Sequence, residues 1–323
     1  MKNLAYFLEH FEKQLNAFPF VKNPENLYLP IDYIMKLGGK RIRPCMALLF
    51  AEAYGRSVED AYPLANSIEI FHNFTLVHDD IMDEAPLRRG KETVHQKWDI
   101  NTAILSGDSM MIVAYQELLK LKTDNLRGLL SYFNKAALLV CEGQQKDMDF
   151  EKETVVGLDE YLEMIKNKTA VLLAASMKLG AMLSSASENQ LALIEDYGIK
   201  IGLAFQLRDD FLDVYGDDAV GKQTAGDILT NKKTALFLYA LENASAKDKE
   251  ILLNYYAHKT FDPKKKIADV LDIFNNCGVS EYINKFTDSL VKESDELVHK
   301  MDIDESYKTI LIALNDKIVN RVY

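Results

Sequence analysis

One pattern constrains this chain more than any other, and it occurs twice: an apolar helical run that ends in Asp-Asp-x-x-Asp. The first copy is Phe71-His-Asn-Phe-Thr-Leu-Val-His-Asp79-Asp80-Ile-Met-Asp83, the second Ala204-Phe205-Gln206-Leu207-Arg208-Asp209-Asp210-Phe211-Leu212-Asp213. At about 100° per residue the first and third aspartates of each copy share one helix face. Negative charge is disfavoured at a helix C-terminus, and like charges four apart repel by a few tenths of a kcal/mol. A hard divalent cation such as Mg²⁺, which takes oxygen ligands, would offset this. A solvated helix end is the blander alternative for either copy alone. Two copies of one form argue against it.

The basic residues are grouped as selectively as the acidic ones. Lys40, Arg41 and Arg43 lie in Gly38-Gly39-Lys40-Arg41-Ile42-Arg43-Pro44, where two glycines open a loop and the proline suits the first turn of a following helix. Such a helix N-terminus favours anions. Arg88-Arg89-Gly90-Lys91 forms a second basic loop, and Lys222, Lys232 and Lys233 a third group. Lys168 lies in an otherwise core-like segment, which is costly for lysine unless it is paired or reaches the surface. Arginines beside carboxylates that hold Mg²⁺ make a receptor for phosphate or diphosphate.

The remaining composition narrows the class. The 323 residues include 15 glycines and 7 prolines, well under the roughly 12% average, which favours long uninterrupted helices. No alternating β-branched stretch with hairpin turns is visible, so the chain reads as all-α. Helical spacing predicts a helix over 3–17, a linker over 18–30, and further helices near 31–37, 45–54, 101–121, 128–149 and 188–216, with a core-like segment over 158–184. A C-terminal series follows at 246–258, 264–275, 279–298 and 304–320, without a chemical motif. A net charge of −11 argues against nucleic acid as partner. Cys45, Cys141 and Cys277 have no metal spacing and suit a reducing cytosol. No apolar run approaches the roughly 20 residues that cross a bilayer, and the first ten residues do not read as a secretory signal, so a cytoplasmic location is expected. A phosphate loop of the G-x-x-x-x-G-K-[ST] type is absent.

Taken in order, these segments resemble the trans-isoprenyl diphosphate synthases, or polyprenyl synthetases. The resemblance rests on Gly38-Gly39-Lys40-Arg41-x-Arg43-Pro44, His72, Asp79-Asp80-x-x-Asp83, Arg88-Arg89-Gly90, Lys168-Thr169, Phe205-Gln206-x-x-Asp209-Asp210-x-x-Asp213, Gly221-Lys222 and Asn231-Lys232, and spans roughly residues 38–234. It implies a single domain over 1–323, a bundle of roughly ten or more helices around a central apolar cavity. It also implies that Lys40, Arg41, Arg43, His72 and Arg89 bind isopentenyl diphosphate. Asp79, Asp83 and Asp209 would ligate Mg²⁺ on an allylic diphosphate, three ions per site, with Asp80, Asp210 and Asp213 in support. Arg88, Lys168, Lys222 and Lys232 would grip the same allylic group, and Thr169 and Gln206 would stabilise the allylic cation. Terpene cyclases usually differ at the second motif and have no use for the Gly38–Pro44 loop, so chain elongation is favoured.

Product length is implied by the resemblance rather than by spacing. An aromatic at the fifth position before the first aspartate, here Phe74, resembles the short-chain group, with Phe71 and Thr75 beside it. A C20 product, geranylgeranyl diphosphate, is expected, with C15 farnesyl diphosphate the near alternative. A non-catalytic, prenyl-synthase-like subunit is the second class of reading; such subunits would be expected to lose aspartates or cations that this chain keeps. A homodimer is expected from the family alone.

Overall fold

The apolar run ending in the first aspartate motif becomes a helix of 25 residues, Val58–Met82. In chain order the helices of this computed structural model are α1 Leu4–Asn16, α2 Glu25–Lys36, α3 Ile42–Ala53, α4 Val58–Met82, α5 Val94–Lys97, α6 Ile100–Leu118, α7 Leu126–Lys152, α8 Leu158–Ile165, α9 Val171–Leu183 and α10 Glu188–Tyr215. They continue as α11 Gly226–Leu229, α12 Ala235–Asn243, α13 Ala246–Ala257, α14 Pro263–Asn276, α15 Val279–Lys300 and α16 Glu305–Val319. The structure describes residues 2–153, 156–184, 186–216, 225–257 and 261–319. The fold is all-α, as the sequence pattern predicts. Among the described residues no helix is long and apolar enough to cross a membrane.

Helix starts follow side-chain chemistry. Asn3, Ser57 and Asp99 cap α1, α4 and α6 by accepting from the backbone N–H three residues on. Asp262 caps α14, whose first residue is Pro263. One boundary departs from the sequence reading: α2 begins at Glu25, so the expected linker up to Pro30 is partly helix. Pro30 sits inside α2 as a buried core residue; it forgoes one backbone hydrogen bond but packs its ring in the interior.

The second departure is a hairpin. Among the described residues the only strands are β1 Leu87–Arg88 and β2 Lys91–Glu92, paired antiparallel with Arg88 opposite Lys91. Arg89 and Gly90 form the two-residue turn with φ of 53° and 73°, the positive values that a tight hairpin requires. Strands of two residues carry no alternation for a sequence pattern to reveal.

The chain divides into two compact units. Unit 1 comprises Met1–Asn134, Ala175–Ala192 and Asp302–Tyr307; unit 2 comprises Lys135–Ala174, Leu193–Met301 and Lys308–Tyr323. In unit 1, α4 is buried through most of its length, from Val58 to Phe74 and beyond. Two of its buried amide groups are paired through their nitrogens: Asn66 donates to Glu117 at 2.9 Å, and Asn73 donates to the Glu69 backbone carbonyl at 2.8 Å. In unit 2, Tyr197 of α10 donates to Asn315 at 2.9 Å, and Asn315 donates to Asp295 at 2.8 Å.

Candidate active site

In unit 1 the basic loop and the hairpin meet. Gly38, Gly39 and Arg41 all have positive φ (81°, 141° and 48°), so the loop turns sharply before α3 starts at Ile42. The turn leaves Lys40 exposed. A Cβ on Gly39 would lie 2.8–2.9 Å from the Arg89 guanidinium and push it aside, and the φ of 141° itself favours glycine; Arg89 lies against this loop, where its Nη1 donates to the Gly38 carbonyl. Arg43 Nη1 stands 3.3 Å from His72 Nε2. Burial and the nearby Arg43 and Arg89 charges hold His72 well below the usual imidazole range. A neutral His72 accepts from Arg43 and keeps its other ring nitrogen as a donor. Arg43 Nε is buried and, among the described residues, has no hydrogen-bond partner.

Arg41, expected among the substrate-binding cations, is enclosed instead. Its side chain is 2% exposed; Nη1 is bonded to Glu69, Nη2 donates to the Met35 carbonyl, and Nε lies 3.4 Å from Glu12. The guanidinium therefore fixes a left-handed residue at the start of α3 rather than presenting itself to a ligand.

The first aspartate motif splits by burial. Asp80 is 1% exposed and receives Arg88 in a fork, Nε at 2.8 and 2.9 Å and Nη2 at 2.6 Å. This pair ties the hairpin to the end of α4. Asp79 is half-buried and Asp83, the C-cap of α4, is exposed. Asp80 and Arg88 are thus committed to each other, which suits a supporting role for both.

Below the motif along α4 lies an aromatic cluster. The Phe74 ring is 4.8 Å from His78 and 5.5 Å from Phe71, Phe71 is 5.3 Å from Phe133, and Phe133 is 5.5 Å from Tyr115. Thr75 Oγ1 donates to the His72 carbonyl at 2.8 Å.

Unit 2 repeats the split. Asp210 is 3% exposed; its carboxylate accepts from the Tyr161 hydroxyl and from Gln206 Nε2 at 2.9 Å. Burial pushes the Asp210 carboxyl up to about 7, against the lowering effect of Tyr161, Lys232 and Gln206. Asp209 and Asp213 are half-buried, and Asp213 accepts from the Asp227 backbone N–H at 2.8 Å. Thr169 donates to Gln206 Oε1 at 3.1 Å, so Thr169, Gln206, Asp210 and Tyr161 form one chain of hydrogen bonds.

Lys168 falls in a π-helical turn, Lys166–Ala170, between α8 and α9. Its Nζ meets Asp147 of α7 at 2.6 Å, the partner that a lysine in this segment requires. A Cβ on Gly143 would lie 2.3 Å from the Lys168 backbone nitrogen, so glycine lets the turn pack directly on α7. Lys232 lies near the acidic group: its charge lowers the Asp210 and Asp227 carboxyls that burial raises, Asp227 to about 6. Lys222 lies outside the described residues.

Glu69, Tyr161, Asp147 and Asp227 join the site residues without belonging to any of the motifs above. Glu69 interrupts an apolar run, Ile68-Glu69-Ile70-Phe71, and a carboxylate there needs a buried partner. Gln206 and Asp210 stand four apart, the spacing of a helical Gln–Asp bond. Asp147 and Tyr161 gave no comparable signal, because their partners come from other helices.

Each motif thus offers oxygen donors suited to Mg²⁺ at its first and third aspartates. Among the described residues no three carboxylates or imidazoles converge as a closed cage. Mg²⁺ usually takes one or two carboxylates together with substrate phosphates, and this donor set fits that mode.

Comparison with known proteins agrees with the geometry. The sequence profile described as Polyprenyl synthetase matches residues 24–274. A short chain isoprenyl diphosphate synthase of Methanothermobacter thermautotrophicus is 38% identical over 292 residues, 89% of either chain. A geranylgeranyl diphosphate synthase of Methanosarcina mazei is 35% identical, covering 97% of this chain and 95% of its own. A crystal structure of a geranylgeranyl pyrophosphate synthase is similar over the full length of both chains, with 40% identity and a TM-score of 0.94.

Proposed function

The chain belongs to the polyprenyl synthetase family, and from that premise we propose that it is a trans-prenyltransferase extending an allylic diphosphate with isopentenyl diphosphate, to geranylgeranyl diphosphate. The observation that carries the division of labour is the repeated split of Asp-Asp-x-x-Asp, with the middle aspartate locked to protein groups and the outer two at the accessible end of the helix. In this reading Asp79, Asp83 and Asp209 would hold Mg²⁺, three ions with the allylic diphosphate, and Asp213 would act in support. Mg²⁺ there would act as a Lewis acid on the departing diphosphate. Lys168 and Lys232 add fixed positive charge to the same group, and the Arg88–Asp80 fork holds the first motif in shape.

Isopentenyl diphosphate needs no metal in this scheme. Lys40, Arg43 and Arg89 supply the charge, and neutral His72 supplies a donor. The allylic C–O bond then ionises and its electron pair leaves with diphosphate. The Thr169 hydroxyl and Gln206 amide oxygens, fixed by their mutual bond, face the cation with negative dipole ends. The isopentenyl double bond forms the new C–C bond at the allylic carbon, and the proton lost next goes to the released diphosphate. Both units serve one polyprenyl synthetase domain in this reading, since the profile match runs from one into the other.

Phe74, backed by Phe71, is proposed as the floor that stops the growing tail. Chromatography of the dephosphorylated products tests both parts of the proposal. Wild type should give the C20 alcohol. Phe74→Ala should shift the main product to C25 or longer, and an unchanged distribution would remove Phe74 from the role.

We also propose that a second copy of the chain covers the apolar stripe on α6, where Leu105 and Ile112 are 59% and 57% exposed and Leu119 follows at the same seven-residue spacing. Ile112→Asp should then sediment as a monomer where wild type sediments as a dimer. A monomeric wild type would sink this part.

A further inference from the structure

The C-terminal helices bear no chemical motif, yet one of them sends a buried lysine to the site. Lys266 of α14 is 4% exposed, a burial that lysine almost never shows unless it is paired. Its Nζ donates to Asn231 Oδ1 and lies 5.2 Å from the centroid of the Tyr256 ring. Asn231 has φ of 63°, a left-handed conformation that asparagine tolerates better than most residues. The next residue is Lys232, assigned above to the allylic diphosphate.

Lys232 is pinned from its other side as well. Lys233 Nζ donates to the carbonyls of Phe150 and, at 2.6 Å, of Glu153, which lie at the C-terminal end of α7. These are carbonyls that a helix end cannot satisfy by itself. The backbone between is tight: Lys232 N–H donates to the Asp227 carbonyl at 2.9 Å, and Thr234 N–H to the Lys232 carbonyl at 3.0 Å. The two flanking residues are thus tied to α14 and α7, with Lys232 carried on the turn between them.

We propose that Lys266 is a positioning residue for the allylic site, holding Asn231 and through it the turn that aims Lys232. The inference rests on the reading of Lys232 as a diphosphate-binding cation. An ordinary packing lysine would have no reason to place its ammonium on the side chain that precedes a working cation. The cost of burying the ammonium is offset by its bond to Asn231 and its place over the Tyr256 ring.

Steady-state kinetics of Lys266→Met, which keeps the aliphatic stem and removes the donor, tests this. The KM for the allylic diphosphate should rise by about tenfold, as expected for one charge-assisted hydrogen bond, while the KM for isopentenyl diphosphate stays within about twofold. Adding Lys266→Met to Lys232→Ala should change the allylic KM by less than about twofold further, because the group it positions is gone. If Lys266→Met does not fold, Asn231→Ala takes its place in the same cycle, with the same non-additivity expected. Equal rises in both KM values, a lowered Tm with unchanged KM values, or additive effects in the double variant would each overturn the proposal. A Lys232→Ala variant with wild-type allylic KM would overturn the assignment of Lys232 itself, and the inference with it.

Discussion

Asp79→Ala is expected to lower kcat by about 10³-fold or more, equivalent to ~4 kcal/mol of transition-state stabilisation. Asp79 stands near the end of α4, where its charge opposes the helix dipole and lies four residues from Asp83. Removing it should therefore lower turnover far more than it lowers folding stability. That combination separates a functional carboxylate from a structural one. Asp80→Ala should behave differently: it leaves Arg88 without the carboxylate that anchors the hairpin, so stability and activity should fall together. Circular dichroism melts beside initial rates would show the contrast. Near-wild-type turnover in Asp79→Ala would remove the metal assignment for the first motif.

Glu69→Ala is expected to cost about 3–5 kcal/mol of stability, the effect of leaving one partner of a buried ion pair uncompensated. The Glu69 and Arg41 side chains are 3% and 2% exposed, and Asn73 Nδ2 also donates to Glu69 Oε1 at 3.1 Å. Alanine there takes the buried carboxylate from Arg41, leaving it the Met35 carbonyl and Glu12, and removes one acceptor from Asn73. The loop that Arg41 fixes carries Lys40 and precedes Arg43, so the KM for isopentenyl diphosphate should rise in whatever fraction folds, with the allylic KM little changed. Glu69→Gln keeps the shape and one acceptor and should lose less. Urea unfolding provides the measure, and a loss below about 1 kcal/mol for Glu69→Ala would mean that the pair does not hold the loop.

Much of the fold and of the site's outline could be read from the residues because both follow short-range rules. Helical spacing located the long helices, and Asp-Asp-x-x-Asp repeated late in two of them marked the acidic groups. What escaped was set by tertiary partners. The Arg88–Asp80 fork, the Lys168–Asp147 pair and the Tyr161–Asp210 bond depend on which elements pack together, and no local spacing states that. Arg41 looked like its neighbours Lys40 and Arg43 because all three are cations in one loop; only the buried Glu69 of α4 distinguishes it. The hairpin escaped because Arg89-Gly90 reads as a basic loop when the strands are two residues long. Lys266 escaped for the same reason as Asp147: its partner is 35 residues away.

Diphosphate release, followed with each substrate alone and with both, tests the central claim most directly. With Mg²⁺, an allylic diphosphate and isopentenyl diphosphate together, one diphosphate should be released for each isopentenyl unit consumed, and the prenyl chain should lengthen by five carbons. Neither substrate alone should release it at a comparable rate, and chelation of the metal should stop the reaction. Rapid release from the allylic substrate alone, or none with both present in folded protein, would contradict chain elongation as the function of this site.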